Sequence, residues 1–178
     1  MRLNGIGVVW APAYAQIDLK NATLTMQDGA TPANSITVKL GAGNLTYSEK
    51  KTIEYTLDRG ALDEVREGDE VPMDVTLDFV WEYIAGTTGT AGIPTVEDAL
   101  KNIGAAVDWV SSDSDTCRPF SVDLIVSYVP DCASGDNEVI TLPDFRYESL
   151  DHDLRAGTVS VSGKCNAKEA TVVRSAKT

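Results

Sequence analysis

Three carboxylates recur at every fourth position in one stretch of this chain, at Asp74, Asp78 and Glu82. Because side chains of a β-strand change face at every residue, positions four apart point the same way. The intervening odd positions are apolar: Met73, Val75, Leu77, Phe79, Trp81 and Tyr83. The pattern predicts a long strand over residues 72–84 with one face in a core and a second, acidic face. That second face either lines a negatively charged space or is the solvated outside of a β-sandwich.

Catalytic groups in a recognisable arrangement are not found elsewhere in the sequence. The single histidine, His152, lies in an acidic stretch, and no serine stands in a Gly-x-Ser-x-Gly turn. The glycine-rich stretch 86–92 is followed by Ile93 and Pro94, whereas a phosphate-binding loop continues with Lys and Ser or Thr. The carboxylate pairs lie in polar, loop-like sequence, which disfavours a glycosidase. We therefore predict a protein without enzymatic activity and without a cofactor.

Metal binding has two weak candidates. Cys117, Cys132 and Cys165 could form a Cys3His zinc site with His152, but no pair has the short spacing usual in such sites. Buried, reduced thiols are the favoured alternative. The segment Asp113-Ser114-Asp115 matches only part of an oxygen-rich calcium loop. No metal is therefore expected.

Length and charge restrict the possible partners. A chain of 178 residues suits one domain with a real core, which we place at residues 1–178. The formal net charge of -12 disfavours binding to nucleic acid through phosphate neutralisation. Like-charge repulsion is still compatible with a conduit to which DNA does not adhere.

The charge is also unevenly distributed. An acidic connection at residues 58–71 separates two strands, and the segment 155–178 carries five bases and one acid. We interpret the connection as an exposed arm or loop that contacts another subunit, and the basic segment either as its counterpart or as a solvated tail. The candidate contact residues are Arg59, Asp63, Glu64, Arg66, Glu67, Asp69, Glu70, Arg155, Lys164 and Lys168.

The remaining predicted elements are one helix, an N-terminal arm and several strands. Thr95 and Asp98 form a capping box, which predicts one helix over residues 95–107 with an apolar stripe. The N-terminal arm, residues 1–15, looks partly like a signal peptide, but glycines and a proline interrupt its apolar run. Alternation predicts further strands at residues 16–26 with a bulge near 21–22, and at 36–40, 53–57, 122–128 and 158–162.

Two long strings carry a family resemblance. GNLTYSEKKTIEYTLDRGALDEVREGDEVPMDVTLDFVWEYI (residues 43–84) and TLPDFRYESLDHDLRAGTVSVSGKCNA (residues 141–167) resemble the major tail tube proteins of long-tailed, non-contractile bacteriophages. The resemblance implies a mainly β fold, a sandwich or barrel flanked by one helix, whose inner sheet closes into a larger barrel when six copies form a ring. Stacked rings would form a tube in the virion tail, assembled in the bacterial cytoplasm.

The same resemblance implies the partners. They are further copies of the chain, the tape measure protein, the tail terminator and the distal tail proteins, and DNA would pass through the lumen without specific binding. Independently of the resemblance, no stretch approaches the roughly 18 to 20 apolar residues needed to span a bilayer, so no membrane insertion of the protein is expected. Asp74, Asp78 and Glu82 become candidates for the lumen wall. The alternatives are a secreted β-sandwich adhesin or carbohydrate-binding module, and a related secretion-tube or virion-decorating protein.

Overall fold

The computed structural model describes residues 22–81, 92–129 and 136–176. Within them one α-helix, α1 (Val96–Lys101), is followed by a short 3-10 helix (Gly104–Ala106). No helix in these ranges is long and apolar enough to cross a membrane. The strands in chain order are β1 (Ala22–Gln27), β2 (Ser35–Val38), β3 (Leu45–Ser48), β4 (Ile53–Asp58), β5 (Ala61–Glu67), β6 (Met73–Val80), β7 (Val122–Tyr128), β8 (Asn137–Asp153), β9 (Thr158–Cys165) and β10 (Thr171–Ser175).

Eight of these strands form one antiparallel sheet in the order β2-β1-β7-β8-β9-β6-β3, with β10 paired to β8. The sheet packs as a sandwich and does not close into a barrel within one copy. β2 and β3 lie at opposite ends of the sheet order, yet only residues 39–44 join them. The amides of Asp78 and Val80 bond the carbonyl oxygens of Asn44 and Lys39 in this connection. The predicted mainly β sandwich with one flanking helix is therefore confirmed.

β8 is long because it pairs with different partners along its length. Its first part lies between β7 and β10, and its second part pairs with β9. The pairing with β7 shifts around Pro143 and Asp144, where Asp144 adopts a positive φ of 52° and its amide bonds the carboxylate of Asp123 at 2.9 Å. A second shift leaves Glu148 as the extra residue opposite β9. Bulges bend a strand and increase its twist, which lets one strand serve both parts of the sandwich.

The core confirms the alternation that the sequence predicts for β6. Met73, Val75, Leu77 and Phe79 are all at most 2% exposed and belong to one apolar cluster. The strand is shorter than predicted, because β6 ends at Val80 and Trp81 lies beyond it. Glu82 and Tyr83 lie outside the described residues, as do residues 1–21, most of the glycine-rich stretch 86–92, and Cys132.

The helix prediction is correct at its start and wrong at its end. The Thr95 side chain accepts a bond from the Asp98 amide at 3.1 Å, and the Asp98 carboxylate accepts one from the Thr95 amide at 3.2 Å. α1 nevertheless ends after Lys101, since Asn102 is left-handed with φ 53°. The apolar stripe continues past this point in the sequence, but Ile103 and Val107 are 47% and 60% exposed. Local apolar spacing therefore did not reveal the left-handed turn.

The acidic connection and the basic segment both contain strands. The connection at residues 58–71 contains β5, which pairs with β4 in a separate two-stranded sheet. The alternative of a solvated tail for residues 155–178 is wrong, because β9 lies inside the main sheet and buries Val159, Val161 and Cys165. The strand predicted at residues 158–162 is thus confirmed and extends to Cys165, whereas the acidic residues of β5 obscured its strand pattern.

Candidate functional site: an exposed hairpin and a polar sheet face

β4 and β5 form a hairpin that we call the arm, residues 53–67. Arg59 and Gly60 form its two-residue turn with φ values of 49° and 85°. Positive φ at both central residues is typical of the type I′ turn, whose twist matches that of paired strands. The register shifts between Thr56 and Leu57, which leaves Asp63 unpaired as a bulge. The prediction of an arm is thus retained, with a β-hairpin in place of a loop.

Every residue of β4 and β5 is exposed. Tyr55 pairs across the hairpin with Val65, and Leu57 pairs with Leu62, so these four side chains share one face. Their exposed fractions are 61%, 57%, 64% and 69% respectively. Because an isolated two-stranded hairpin is marginally stable in water, an apolar face of this size favours burial against another protein surface.

The other face of the arm is charged. Arg66 pairs with Glu54 across the strands at 2.7 Å, and the Thr56 hydroxyl donates to the Glu64 carbonyl oxygen at 3.3 Å. Both members of the ion pair are about half exposed. Such pairs contribute little to stability in water. Of the predicted contact residues, Arg59, Asp63, Glu64, Arg66 and Glu67 therefore lie on the arm itself.

At the base of the arm, the predicted acidic and basic contact residues meet within one copy. Lys168 lies 3.3 Å from a carboxylate oxygen of Glu70 and 4.0 Å from one of Glu67. The hydrogen bond to Glu70 raises the pKa of Lys168. Asp69 lies next to Glu70 in the same connection, while Arg155 lies in the turn between β8 and β9. Lys168 is thus engaged inside its own chain, at a site predicted to join two rings.

The second surface is the face of the sheet opposite the core, which we call the polar face. It consists of rows of side chains from β6, β9 and β8 that stand in register. One row joins Thr76, Ser162 and Ser149, and the two serine hydroxyls lie 2.8 Å apart. The next row joins Asp78 and Asp151 to Ser160 between them, whose hydroxyl donates to Asp78. Asp74 and Asp78 therefore share the face that the sequence predicts.

A third row of the polar face is mixed in charge. Asp74 pairs in register with Lys164 of β9, which in turn pairs with Arg146 of β8. Lys50, beyond the end of β3, hydrogen-bonds the Asp74 carboxylate and lowers its pKa, and the charge of Lys164 contributes. The acidic face expected from the sequence is therefore partly neutralised at Asp74. Lys50 gave no signal in the sequence, since its position next to Asp74 depends on β3 pairing with β6.

The Arg146 side chain extends from the polar face to a neighbouring loop, where it binds Asp113. Its guanidinium donates to the Asp113 carboxylate at 2.7 Å, and Arg118 donates to the same oxygen at 3.1 Å. The Asp113 carboxylate also accepts from the Asp115 amide at 3.0 Å, which with the two arginines lowers the pKa of Asp113 to about 2. The partial calcium motif at residues 113–115 is therefore occupied by cations of the chain.

The candidate zinc ligands are not brought together in the described ranges. Cys117 is exposed, whereas Cys165 is buried in the core, and burial raises the pKa of the Cys165 thiol to about 12. His152 instead lies with its Nε2 3.3 Å from Oε2 of Glu97, and its ring packs edge-on against Trp81. No group of three metal-ligating side chains is found among residues 22–81, 92–129 and 136–176.

Comparison with known proteins gives a fold and no closer relationship. No protein-family model and no curated protein sequence matches the chain. Among solved structures, a chain from the cap of the anti-feeding prophage, described as a tube-terminating cap, is similar with a TM-score of 0.54 at 9% identity. The match covers 97% of this chain and 100% of the cap chain.

Two further similar chains come from an extracellular contractile injection system, PVC, in its extended state. One, from the sheath/tube terminator structure, has a TM-score of 0.53 at 10% identity and covers 90% of this chain and 99% of the other. The second, from the sheath-tube complex, has a TM-score of 0.53 at 10% identity, with coverage of 92% and 95%. The fold is therefore one found in tail-like tubes and their terminators. The two PVC chains come from a contractile system, so the non-contractile class implied by the resemblance stays a prediction.

Proposed function

We propose that this chain is a structural protein of a phage tail or tail-like tube, without enzymatic activity, whose copies associate into hexameric rings that stack. The observation that carries the proposal is the arm, an ordered hairpin whose apolar side chains all face solvent in the single copy. The likeness of the fold to chains of tube and terminator structures supports it.

Assembly through the arm would be directional. The arm presents the apolar pairs Tyr55–Val65 and Leu57–Leu62 on one face and alternating charges on the other. The surface that receives it must therefore offer apolar area, with charge-complementary groups at its rim. A contact between two different patches propagates into rings or filaments, because each copy still has one patch free.

The polar face is the proposed lumen wall. Its central row is made of hydroxyls, and Asp78 and Asp151 keep it acidic on one side. A surface of this kind is wetted and repels a polyanion, as a conduit for DNA requires. The tape measure protein before ejection, and DNA during it, are the proposed contents of the lumen. The terminator and distal tail proteins are the proposed neighbours at the two ends of the tube.

A terminator or cap is the second candidate, because two of the three similar structures contain such proteins. A terminator needs the same ring but must stop stacking on one side. The arm would then dock on the last tube ring, and copies of this chain alone would form closed rings without long stacks.

Negative-stain electron microscopy of the purified full chain at increasing concentration tests the proposal. Hollow rods of stacked rings support a tube protein, and isolated rings or ring pairs support a terminator. Particles that remain single copies at every concentration would contradict both assignments.

A further inference from the structure

Among the described residues, two exposed lysines lie on or beside the polar face, and each of them is paired with a carboxylate of the same chain. Lys50 hydrogen-bonds Asp74, and Nζ of Lys164 lies 3.5 Å from Oε1 of Glu148. The Lys50 and Lys164 side chains are 55% and 46% exposed, so neither is kept from solvent by burial. The carboxylate partners, rather than burial, therefore limit the binding of an anion to these two lysines.

The bulge in β8 lets the polar face carry one of these carboxylates together with the hydroxyl row. Glu148 is the extra residue between Tyr147 and Ser149 in the pairing with β9. Without the insertion, regular alternation would put residue 148 on the same face as Arg146, and Ser149 on the core side. With it, Ser149 returns to the polar row and Glu148 reaches the neighbouring Lys164. The bulge thus keeps the Ser149 hydroxyl in its row while the Glu148 carboxylate lies next to Lys164.

The energetics of binding to nucleic acid explain why such pairing matters. Phosphate binding by lysine is driven by release of the counterions condensed on the nucleic acid. A lysine that already neutralises a carboxylate must break that pair first, and the carboxylate left behind repels the phosphate. A paired lysine therefore contributes little to adhesion, although a single exposed pair contributes little to the stability of the fold.

Asp78 and Asp151 provide the internal contrast. They lie on the same face, in register with Ser160 of β9, and neither forms an ion pair with a cation of the described residues. Removing them reduces the negative charge of the face by the same amount as removing Asp74 and Glu148. Only the second change, however, exposes lysines.

We propose that Asp74 and Glu148 mask Lys50 and Lys164, so that these two lysines do not bind a nucleic acid moving along the polar face. The inference rests on the proposed function for the presence of a nucleic acid, and it assigns the two acids a role in preventing adhesion. The net charge of the chain then matters less than the pairing of its cations on this face.

Two double variants of the full chain with equal net charge test the inference. Asp74→Asn/Glu148→Gln exposes both lysines, whereas Asp78→Asn/Asp151→Asn is the matched control. Each raises the formal net charge of -12 by two units. Both are applied to double-stranded DNA immobilised on cellulose, with circular dichroism to verify folding. We expect the first variant to be retained at about 50 mM salt and released by about 200 mM, with binding roughly tenfold weaker at the higher salt, as for two neutralised phosphates. The control should pass through.

Removing the lysines from the first variant sharpens the test. Asp74→Asn/Glu148→Gln/Lys50→Ala/Lys164→Ala has the net charge of the original chain and should again pass through. Equal retention of the two double variants would show that overall charge controls adhesion and would overturn the proposal. Passage of both would overturn it as well, since exposed lysines would then attract no DNA.

The column result is independent of the proposed assembly. It measures the surface charge of the soluble subunit, whereas tubes or rings are seen only by microscopy. Masking can therefore fail in a protein that forms tubes, and a protein that forms no tubes can still show masking.

Discussion

The sandwich and the arm are built from the same alternating strands and differ in what covers them. In β6 the apolar residues Met73, Val75, Leu77 and Phe79 alternate with other residues and are at most 2% exposed. In β4 Ile53, Tyr55 and Leu57 alternate just as regularly, and both Tyr55 and Leu57 are more than half exposed. Alternation thus defines which side chains share a face, but it does not say whether that face is covered inside the chain or by another molecule.

The difference indicates where each region obtains its stability. The sandwich gains from burial of apolar area within one copy, which operates at any protein concentration. The arm has only backbone pairing and exposed ion pairs such as Glu54–Arg66, which are weak in water. We therefore expect core substitutions to affect folding, and arm substitutions to affect association.

The largest effect is expected from truncation at the centre of the main sheet. Phe145 is 1% exposed and pairs with Val122 of β7 and Cys165 of β9. Phe145→Ala should lower the free energy of unfolding by about 3–5 kcal/mol, because it leaves a cavity where the strands meet. Leu62→Ala on the arm should change it by less than about 0.5 kcal/mol. Urea denaturation of the two variants measures the contrast, and equal losses would mean that the arm packs on the sandwich.

A pair of glycines extends the comparison to the backbone. A Cβ at Gly163 would lie 2.1 Å from the carbonyl oxygen of Arg146 on β8, whereas a Cβ at Gly60 would have no atom within 4 Å. Gly163→Ala should destabilise the fold by about 1–3 kcal/mol, since β8 and β9 must separate at the bulge. Gly60→Ala should cost about 1 kcal/mol, through its positive φ in the hairpin turn. Thermal denaturation ranks the two, and a larger effect at Gly60 would contradict the description of the β8–β9 contact.

A smaller, pH-dependent effect on the stability of the fold is expected at Asp113, which links the loop before β7 to Arg146 on β8. The pKa of Asp113 is lowered from 3.8 to about 2, so its carboxylate stabilises the fold above about pH 4. This contribution is lost as pH falls from about 4 toward 2, when the carboxyl becomes protonated. Asp113→Asn should lower the Tm by several degrees at pH 7 and flatten its decline in that acidic range.

Glu54→Gln is the matched control for Asp113→Asn, because it removes a carboxylate from the exposed pair on the arm. We expect its Tm to stay within about 1 °C of the original at pH 7. An equally large loss in both variants would show that the two regions do not differ in how their ion pairs contribute.

The sequence predicted those features that depend on local spacing. The buried residues of β6 and the capping box of α1 are as predicted, because both depend on neighbours within a few residues. The early end of α1 was missed, since it depends on a left-handed Asn102 that apolar spacing does not encode. β8 was missed altogether, because Pro143 and two bulges interrupt its period.

The candidate surfaces were predicted only in part. Asp74 and Asp78 were placed correctly on one face, but the pairing of Asp74 with Lys50 follows from the contact between β3 and β6. Lys168 was expected to contact a second copy, yet it pairs with Glu70 of its own chain. Contacts between residues distant in the sequence require strand order and register, which composition and charge do not contain.

The central claim is that the apolar face of the arm is a subunit interface, and sedimentation velocity of two matched double variants tests it most directly. Leu57→Asp/Leu62→Asp places charges on that face, and Ile93→Asp/Leu154→Asp places the same charges at side chains that are 87% and 72% exposed outside the arm. The account predicts that the original chain and the second variant associate with rising concentration, while the first variant remains a folded monomer. Association of the first variant to the same size as the original chain would contradict it.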